Sequence, residues 1–399
     1  MTAPLAGLRV LDLSRVLAGP WCTQLLADLG ADVIKVEKPG AGDDTRHWGP
    51  PWHEQDGERV AAYFLSANRG KRSAAIDIAS EEGAELVRRL AERSDVVVEN
   101  FKVGGLAKYG LDAASLRAAN EQLIVASITG FGQDGPYADR AGYDFMIQAM
   151  GGLMSITGQP DGSPGGGPMR VGVAVADLFT GMYTAVAILA ALHRRHSSGE
   201  GGHIDMALFD TQLAVLANQA SNALVSGEDP PRQGNTHPNI VPYRPFDTAD
   251  QPIIIAVGND RQFARLARMC GHPEWAQDQR FVTNSARVAH RAEIETLVQE
   301  AIATRTAADW LAALEQAHIP AGPINRVTQA LRDIQAQHRQ MVRSIGGIPL
   351  VGSPVRIDGE REDSGLPPPR LGEHTELVLG ELGLGAGQLG QLRAAGVIG

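Results

Sequence analysis

Between residues 8 and 130 the chain alternates short, β-branched apolar runs with stretches in which apolar side chains recur every three or four positions. The first period is GLRVLDL, WCTQLLADLG and ADVIKVE. It predicts a buried strand, a helix opened by Pro20 and ended by Gly30, and a second strand. The series continues with the strand SAAIDI, the helix SEEGAELVRRLAERS capped by Ser80, the strand DVVVEN, the helix LDAASLRAAN and the strand LIVASITGF. Strands alternating with helices of about ten residues predict an α/β fold with a parallel, doubly wound, Rossmann-like sheet. Binding crevices in such sheets lie at the carboxyl ends of the strands.

From 130 to 170 the periodicity gives way to glycine clusters, GFGQDGPYADRAGYD and GQPDGSPGGGPM, around the helix-like DFMIQAMGGLMS. Dense glycine marks turns or close backbone approach to a ligand. VGVAVA then reads as a strand, residues 178–195 as a helix, HIDMALF as a strand and Asp210 to Val225 as a long helix. SGEDPPRQGNTHPNIVPYRPF has a linker composition. RPFDTADQPIIIAVG predicts a hairpin, followed by helices near 260–270, 290–304 and 306–317, together a smaller α+β domain. PPPRLGEHTELVLGELG is a proline-marked entry into a further helix. At 399 residues the chain is long enough for two or three domains of roughly 150 residues.

Composition narrows the function classes. A net charge of -10 and a pI near 5.6 argue against nucleic-acid and anionic-membrane partners. Only Cys22 and Cys270 occur, without metal-ligand spacing, so neither a disulfide framework nor a zinc site is expected, and a reducing, cytoplasmic setting fits. The opening residues MTAPLAGLRVLDL lack a basic stretch followed by a long apolar one, so no secretory signal is expected. The apolar run from Leu178 to Leu192 is shorter than the roughly 18 residues of a membrane span. A soluble protein without resident metal is the expectation.

One residue breaks the apolar pattern. In MRVGVAVADLFTGMYTAVAILAALHRR the carboxylate Asp177 stands between apolar segments, where desolvating it costs several kcal/mol, on the order of 3 to 5, unless compensated. At a strand-to-helix junction it has two compatible roles. It can be an N-cap at the positive end of the helix dipole. It can also be a dry nucleophile, which on a thioester gives a mixed anhydride and a thiolate. Glu37, ending the second strand, stands where a dinucleotide's ribose would be held. The first turn, SRVLAGPW, however, has one glycine where a GxGxxG fingerprint needs three, which argues against an oxidoreductase.

The blocks VLDLSRVLAGPWCTQLLADLGADVIKVEKPGAGDDTR, NRGKRSAAIDI, DVVVENF, ITGFGQDGPYADRAGYD, VADLFTGMYTAVAILAALHRR, GHIDMALFD and RLGEHTELVLGELGL together resemble the family III coenzyme A transferases. The resemblance runs nearly the whole length. It implies an interlocked homodimer whose large Rossmann-like domain, residues 1–220 and 326–399, encloses a small α+β domain at 221–325. It also implies Asp177 as the nucleophile, forming an aspartyl-acyl anhydride and then an aspartyl-CoA thioester, with Tyr143 positioning the acyl group. Coenzyme A contacts carry over to Arg15, Val16, Lys38, Asn100, Phe101 and Lys108, with Arg72 from the NRGKRS block. Coenzyme A thioesters are substrates in this family, and no cofactor is implied. Leu17 stands where the formyl-CoA transferase branch has Gln, and its tetraglycine loop is missing, which argues against oxalate–formate exchange. Tyr143 replaces the His of the α-methylacyl-CoA racemase branch, removing one of two proton-transfer bases. Overall similarity favours the succinyl-CoA:dicarboxylate branch. The acceptor's second carboxylate then calls for a cation, for which Arg46, Arg170 and Arg244 are candidates.

Overall fold

A computed structural model describes residues 3–55 and 57–399. Among these, the residues up to 153, 170–228 and 334–399 gather into one compact unit, and 154–169 with 229–333 into a second.

The first unit includes the strands β1 (Arg9–Asp12), β2 (Asp32–Glu37), the hairpin β3 (Trp52–Gln55) and β4 (Glu58–Ala61), β5 (Lys71–Ala75), β6 (Val96–Glu99), β7 (Ile124–Thr129) and β8 (Gly202–Ala207), with two short hairpins between residues 342 and 361. Six of them form one parallel sheet in the order β5-β2-β1-β6-β7-β8. Its helices include α1 (Ala18–Asp28), α2 (Ala62–Leu65), α3 (Glu81–Glu92), α4 (Ala113–Ala119), α5 (Asp144–Met150), α7 (Val175–Ser198), α8 (Leu208–Val215) and α9 (Ala217–Ser226), while α6 (Leu153–Ile156) has all but its first residue in the second unit. Alternate residues of the strands feed two cores. Leu11, Ile34, Val97 and Val125 join Leu86 and Leu90 of α3. Val10, Val33, Val96 and Ile124 join Cys22 and Leu26 of α1 and Ile188 of α7. Burial on both faces is why these strands read as unbroken apolar runs. The strand order reverses between β1 and β6, so the two loops after these strands diverge and leave a crevice.

The outer edge of β5 is closed by distant chain. His374 N–H donates to Ser73 O at 2.9 Å, Asp77 N–H to Val397 O at 2.8 Å, and Gly399 N–H to Ala75 O at 3.1 Å. Ile398 bridges Ile76. In the second unit β9 (Tyr243–Asp247), β10 (Pro252–Ala256) and β11 (Ala321–Pro323) form an antiparallel sheet. Phe246, Ile253, Phe263, Phe281 and Trp310 centre its core.

Three differences from the pattern reading matter. VGVAVA is not a strand: α7 begins at Val175, within it, and Asp177 lies in the first helical turn. The segment turns helical because a side chain from α5 caps it, as described below. The predicted helix from 210 to 225 is two helices, since Ala217 takes the left-handed φ of 47°. Finally, α7 runs for 24 residues and is long and apolar enough, by length and composition, to cross a membrane. One face of it packs on α1, β7, β8 and α8.

Candidate active site

A cavity of about 210 Å³ opens where the strand order reverses. Its wall is Arg15–Ala18 after β1, Asn100–Val103 after β6, Gly130 after β7, Arg140–Tyr143 before α5, and Asp177. Two glycines let the last loops meet. A Cβ on Gly142 would lie 2.3 Å from the Gly130 Cα, so no side chain fits at the crossing that aims Tyr143 and Asp144. A third close approach seats the helix: one turn beyond Asp177, a Cβ on Gly181 would lie 2.5 Å from Ala18 O, bringing α7 onto the start of α1.

Asp144 provides the cap that was one of the two roles open to Asp177 in the sequence. Its Oδ1 accepts the Ala176 N–H at 2.9 Å, and its Oδ2 accepts Gln148 Nε2–H at 2.8 Å. Gln148 Oε1 in turn accepts the Val171 N–H at 2.9 Å, fixing the segment that leads into α7. The Asp177 carboxylate therefore remains uncommitted; among the described residues no hydrogen bond to it is formed. Desolvation, followed by repulsion from Asp144, pushes its pKa up to about 7. Burial raises the Asp144 pKa as well, against the pull of its hydrogen bonds.

Tyr63 of α2 belongs to the same electrostatic neighbourhood. Burial and then the charges of Asp177, Asp144 and Asp43 push its hydroxyl up to about 12. Its ring meets Trp48 edge-on, with centroids 5.2 Å apart. Neither Asp144 nor Tyr63 was singled out from sequence. The cap follows a tyrosine in a glycine-rich loop with no helical pattern ahead of it, and Tyr63 sits in a four-residue helix too short to show periodicity.

The structure brings Arg15, Val16, Asn100, Phe101, Tyr143 and Asp177 together in the cavity wall. The Asn100 side chain is turned onto the Arg15 backbone, and Arg15 lies 5.2 Å from the Phe101 ring centroid. Lys38 and Lys108 are exposed just beyond the carboxyl ends of β2 and β6, outside that wall. Arg72 is held by Asp32 and Glu381 at 2.6 Å each; Asp32 opens β2, so this pair marks the opposite, amino end of the strands.

The three arginines expected to meet a second carboxylate do not line the cavity. Arg46 is buried and paired with Glu37 through two 2.7 Å bonds from Nε and Nη2, and its Nη1 and Nη2 also donate to Pro369 O. Arg170 is exposed, 5.7 Å from the Phe145 ring. Arg244 lies in the second unit, against Glu295 and Phe246. The cations in the wall are Arg15, Lys102 and Arg140. The same Arg46 pair, together with Ser73 Oγ and the Asp43 N–H, occupies Glu37. The carboxylate that could have held a ribose is thus internal. Among the described residues no three His, Cys, Asp or Glu gather closely enough to hold a metal ion.

Comparison with known proteins gives concordant findings. A family profile described as CoA-transferase family III matches residues 5–375. A succinate–glutarate CoA-transferase of Agrobacterium fabrum is 53% identical, covering 95% of this chain and 96% of the relative. The succinyl-CoA:glutarate CoA-transferase of Mus musculus is 42% identical over 99% of this chain and 90% of its own. Among solved structures, a CAIB/BAIF family protein from Brucella suis superposes with a TM-score of 0.85 at 53% identity, covering 96% of this chain and 100% of that one.

Proposed function

Because the chain belongs to CoA-transferase family III, we propose that it moves coenzyme A from succinyl-CoA to a short dicarboxylate such as glutarate, with Asp177 as nucleophile. The glutarate in the names of both relatives supports this acceptor. The observation that carries the reaction is the uncommitted Asp177 carboxylate facing a small cavity at the strand-order reversal.

In this reading the ionised Asp177 attacks the thioester carbonyl and expels the coenzyme A thiolate, leaving an aspartyl-succinyl anhydride. The thiolate then attacks the Asp177 carbonyl, releasing succinate and forming an aspartyl-CoA thioester. The acceptor carboxylate displaces the thiolate to give a second anhydride, and the thiolate attacks the acceptor's acyl carbon. Asp177 is regenerated as a carboxylate. Each intermediate is activated towards water, so the transfer requires bound substrate to keep water from the Asp177 carboxyl while the anhydride exists.

Tyr143 positions the acyl group, while Arg15, Val16, Asn100 and Phe101 receive the pantetheine end of coenzyme A. Lys38 and Lys108 stand further out for its phosphates. Arg15, Lys102 or Arg140 replaces the three arginines named from sequence as the partner of the second carboxylate. No cofactor enters the scheme. A homodimer is part of the proposal, its interlocked form drawn from the family resemblance. Phe145 of α5 and Met182, Tyr183 and Val186 of α7 are exposed apolar side chains, and a second copy would cover them.

The test is a panel of short mono- and dicarboxylates offered with succinyl-CoA, read by the mass of the product thioester. Glutaryl-CoA is expected. Transfer to monocarboxylates alone would overturn the acceptor class. Borohydride trapping should label the peptide holding Asp177, and a label elsewhere refutes the nucleophile. Rapid α-proton exchange of a 2-methylacyl-CoA in D2O, without acceptor, would replace transfer by racemisation.

A further inference from the structure

The loop after β1, which lines the same cavity as Asp177, is held by buried charged side chains. Ser14 N–H donates to Asp12 Oδ1 at 2.9 Å, and Ser14 O accepts Lys35 Nζ–H at 2.8 Å. The next residue, Arg15, is gripped at both its backbone N–H and its carbonyl. Arg15 N–H donates to Asn100 Oδ1 at 2.9 Å, and Arg15 O accepts Asn100 Nδ2–H at 2.7 Å. Val16 N–H then donates to the Asp43 carboxylate at 3.2 and 3.3 Å.

Asp43 is itself fixed. It pairs with Lys35 at 2.9 Å, both side chains wholly buried, and accepts the N–H and Oγ–H of Thr45 at 3.0 and 2.7 Å. The consequence falls on Val16, whose φ is +71°. A β-branched residue is a genuine outlier in this left-handed region, and such strain persists only where the surroundings over-determine it. Here the Arg15–Val16 peptide is held at its oxygen by Asn100 and at its nitrogen by Asp43, while α1 fixes the direction of the chain beyond. Val16 takes its positive φ between these two anchors.

We propose that Asp43, supported by Lys35, is a positioning residue for the transfer reaction, holding Val16 in its strained conformation so that Val16 and Leu17 form a fixed wall facing Asp177. The inference rests on the transferase reading above. The buried pair needs such an explanation, since two apolar residues of similar volume are often as stable as a buried ion pair. An apolar residue could not accept the Val16 N–H, and that is the service a carboxylate provides here. Displacing a reacting wall by about 1 Å can cost up to about a hundredfold in rate.

The experiment compares Asp43→Asn, Val16→Gly and the double variant by steady-state kinetics with succinyl-CoA and glutarate. Asp43→Asn should lower kcat at least tenfold while the KM for succinyl-CoA changes less than about threefold. The double variant should recover most of that kcat, because glycine takes a φ of +71° without strain. A merely structural role predicts that the loss follows thermal stability and that Val16→Gly rescues nothing; either result overturns the proposal. If Asp43→Asn does not fold, Thr45→Val removes one bond to Asp43 and leaves the ion pair. A several-fold fall in kcat, rescued by Val16→Gly, is then expected, and unchanged kcat overturns the proposal. Wild-type protein without transferase activity would refute the parent reading instead, so the two failures are told apart.

Discussion

Asp177 carries a charge that its neighbours oppose, and this has consequences for both rate and stability. With its pKa near 7, the nucleophilic carboxylate is mostly protonated in mild acid. The transfer rate should therefore rise tenfold per pH unit below 7 and level off above it, measured at saturating substrates. The sign for stability is opposite. The folded form holds this proton more tightly than an unfolded chain with a pKa of 3.8. The associated stability is complete below about pH 4 and is lost as pH rises through 7. Asp177→Asn should thus gain on the wild type by on the order of 1–2 kcal/mol between pH 4 and 8, after discounting for the partial exposure of the site. Equal melting-temperature differences at the two pH values would contradict the assignment.

At the scale of elements, α7 depends on a cap borrowed from α5. Asp144→Ala removes the acceptor of the Ala176 N–H and should cost about 1 kcal/mol of stability. It also removes the second cause of the raised Asp177 pKa, so the pH–rate profile should shift towards acid, an effect that loss of capping alone would not produce. Gly142→Ala would press a methyl group against Gly130 backbone. It should destabilise by roughly 1–3 kcal/mol and reduce transfer by displacing Tyr143.

These elements were unequally legible in the sequence. The six parallel strands were: burial on both faces leaves runs such as VVVE and IVASIT in the centre of the sheet, while the edge strand β8, GHIDMA, shows as an alternation of half-buried and exposed positions. Ser80 capping α3 was as well, its Oγ accepting the Gly83 N–H at 3.0 Å. VGVAVA misled because alternating valines mimic a strand, while the cap that decides the matter lies 32 positions away. Arg46 misled for a similar reason: its internal partner, Glu37, is a matter of tertiary structure. The family blocks pointed to Asp177; they could not show that its carboxylate is left free of the capping role.

For the whole molecule, the apolar side chains left exposed on α5 and α7 make assembly the testable quantity. Light scattering should give twice the chain mass of 42.4 kDa, and Val186→Glu, at a site 64% exposed in the single chain, should shift the protein towards monomer. A wild-type monomer at micromolar concentration would rule out the second copy as the cover of that face.

The closure of β5 by residues 374–399 bears on how the protein is made. Until those residues emerge from the ribosome, the edge of the completed β5-β2-β1 sheet presents unpaired backbone groups, a template for wrong pairing. Arg46 waits similarly for Pro369, 323 positions later in the chain. At about 5–20 residues per second, that interval is roughly 15 to 60 s. The nascent chain is therefore expected to need an escort over that interval, and a lesion near its carboxyl end would surface first as aggregation during synthesis.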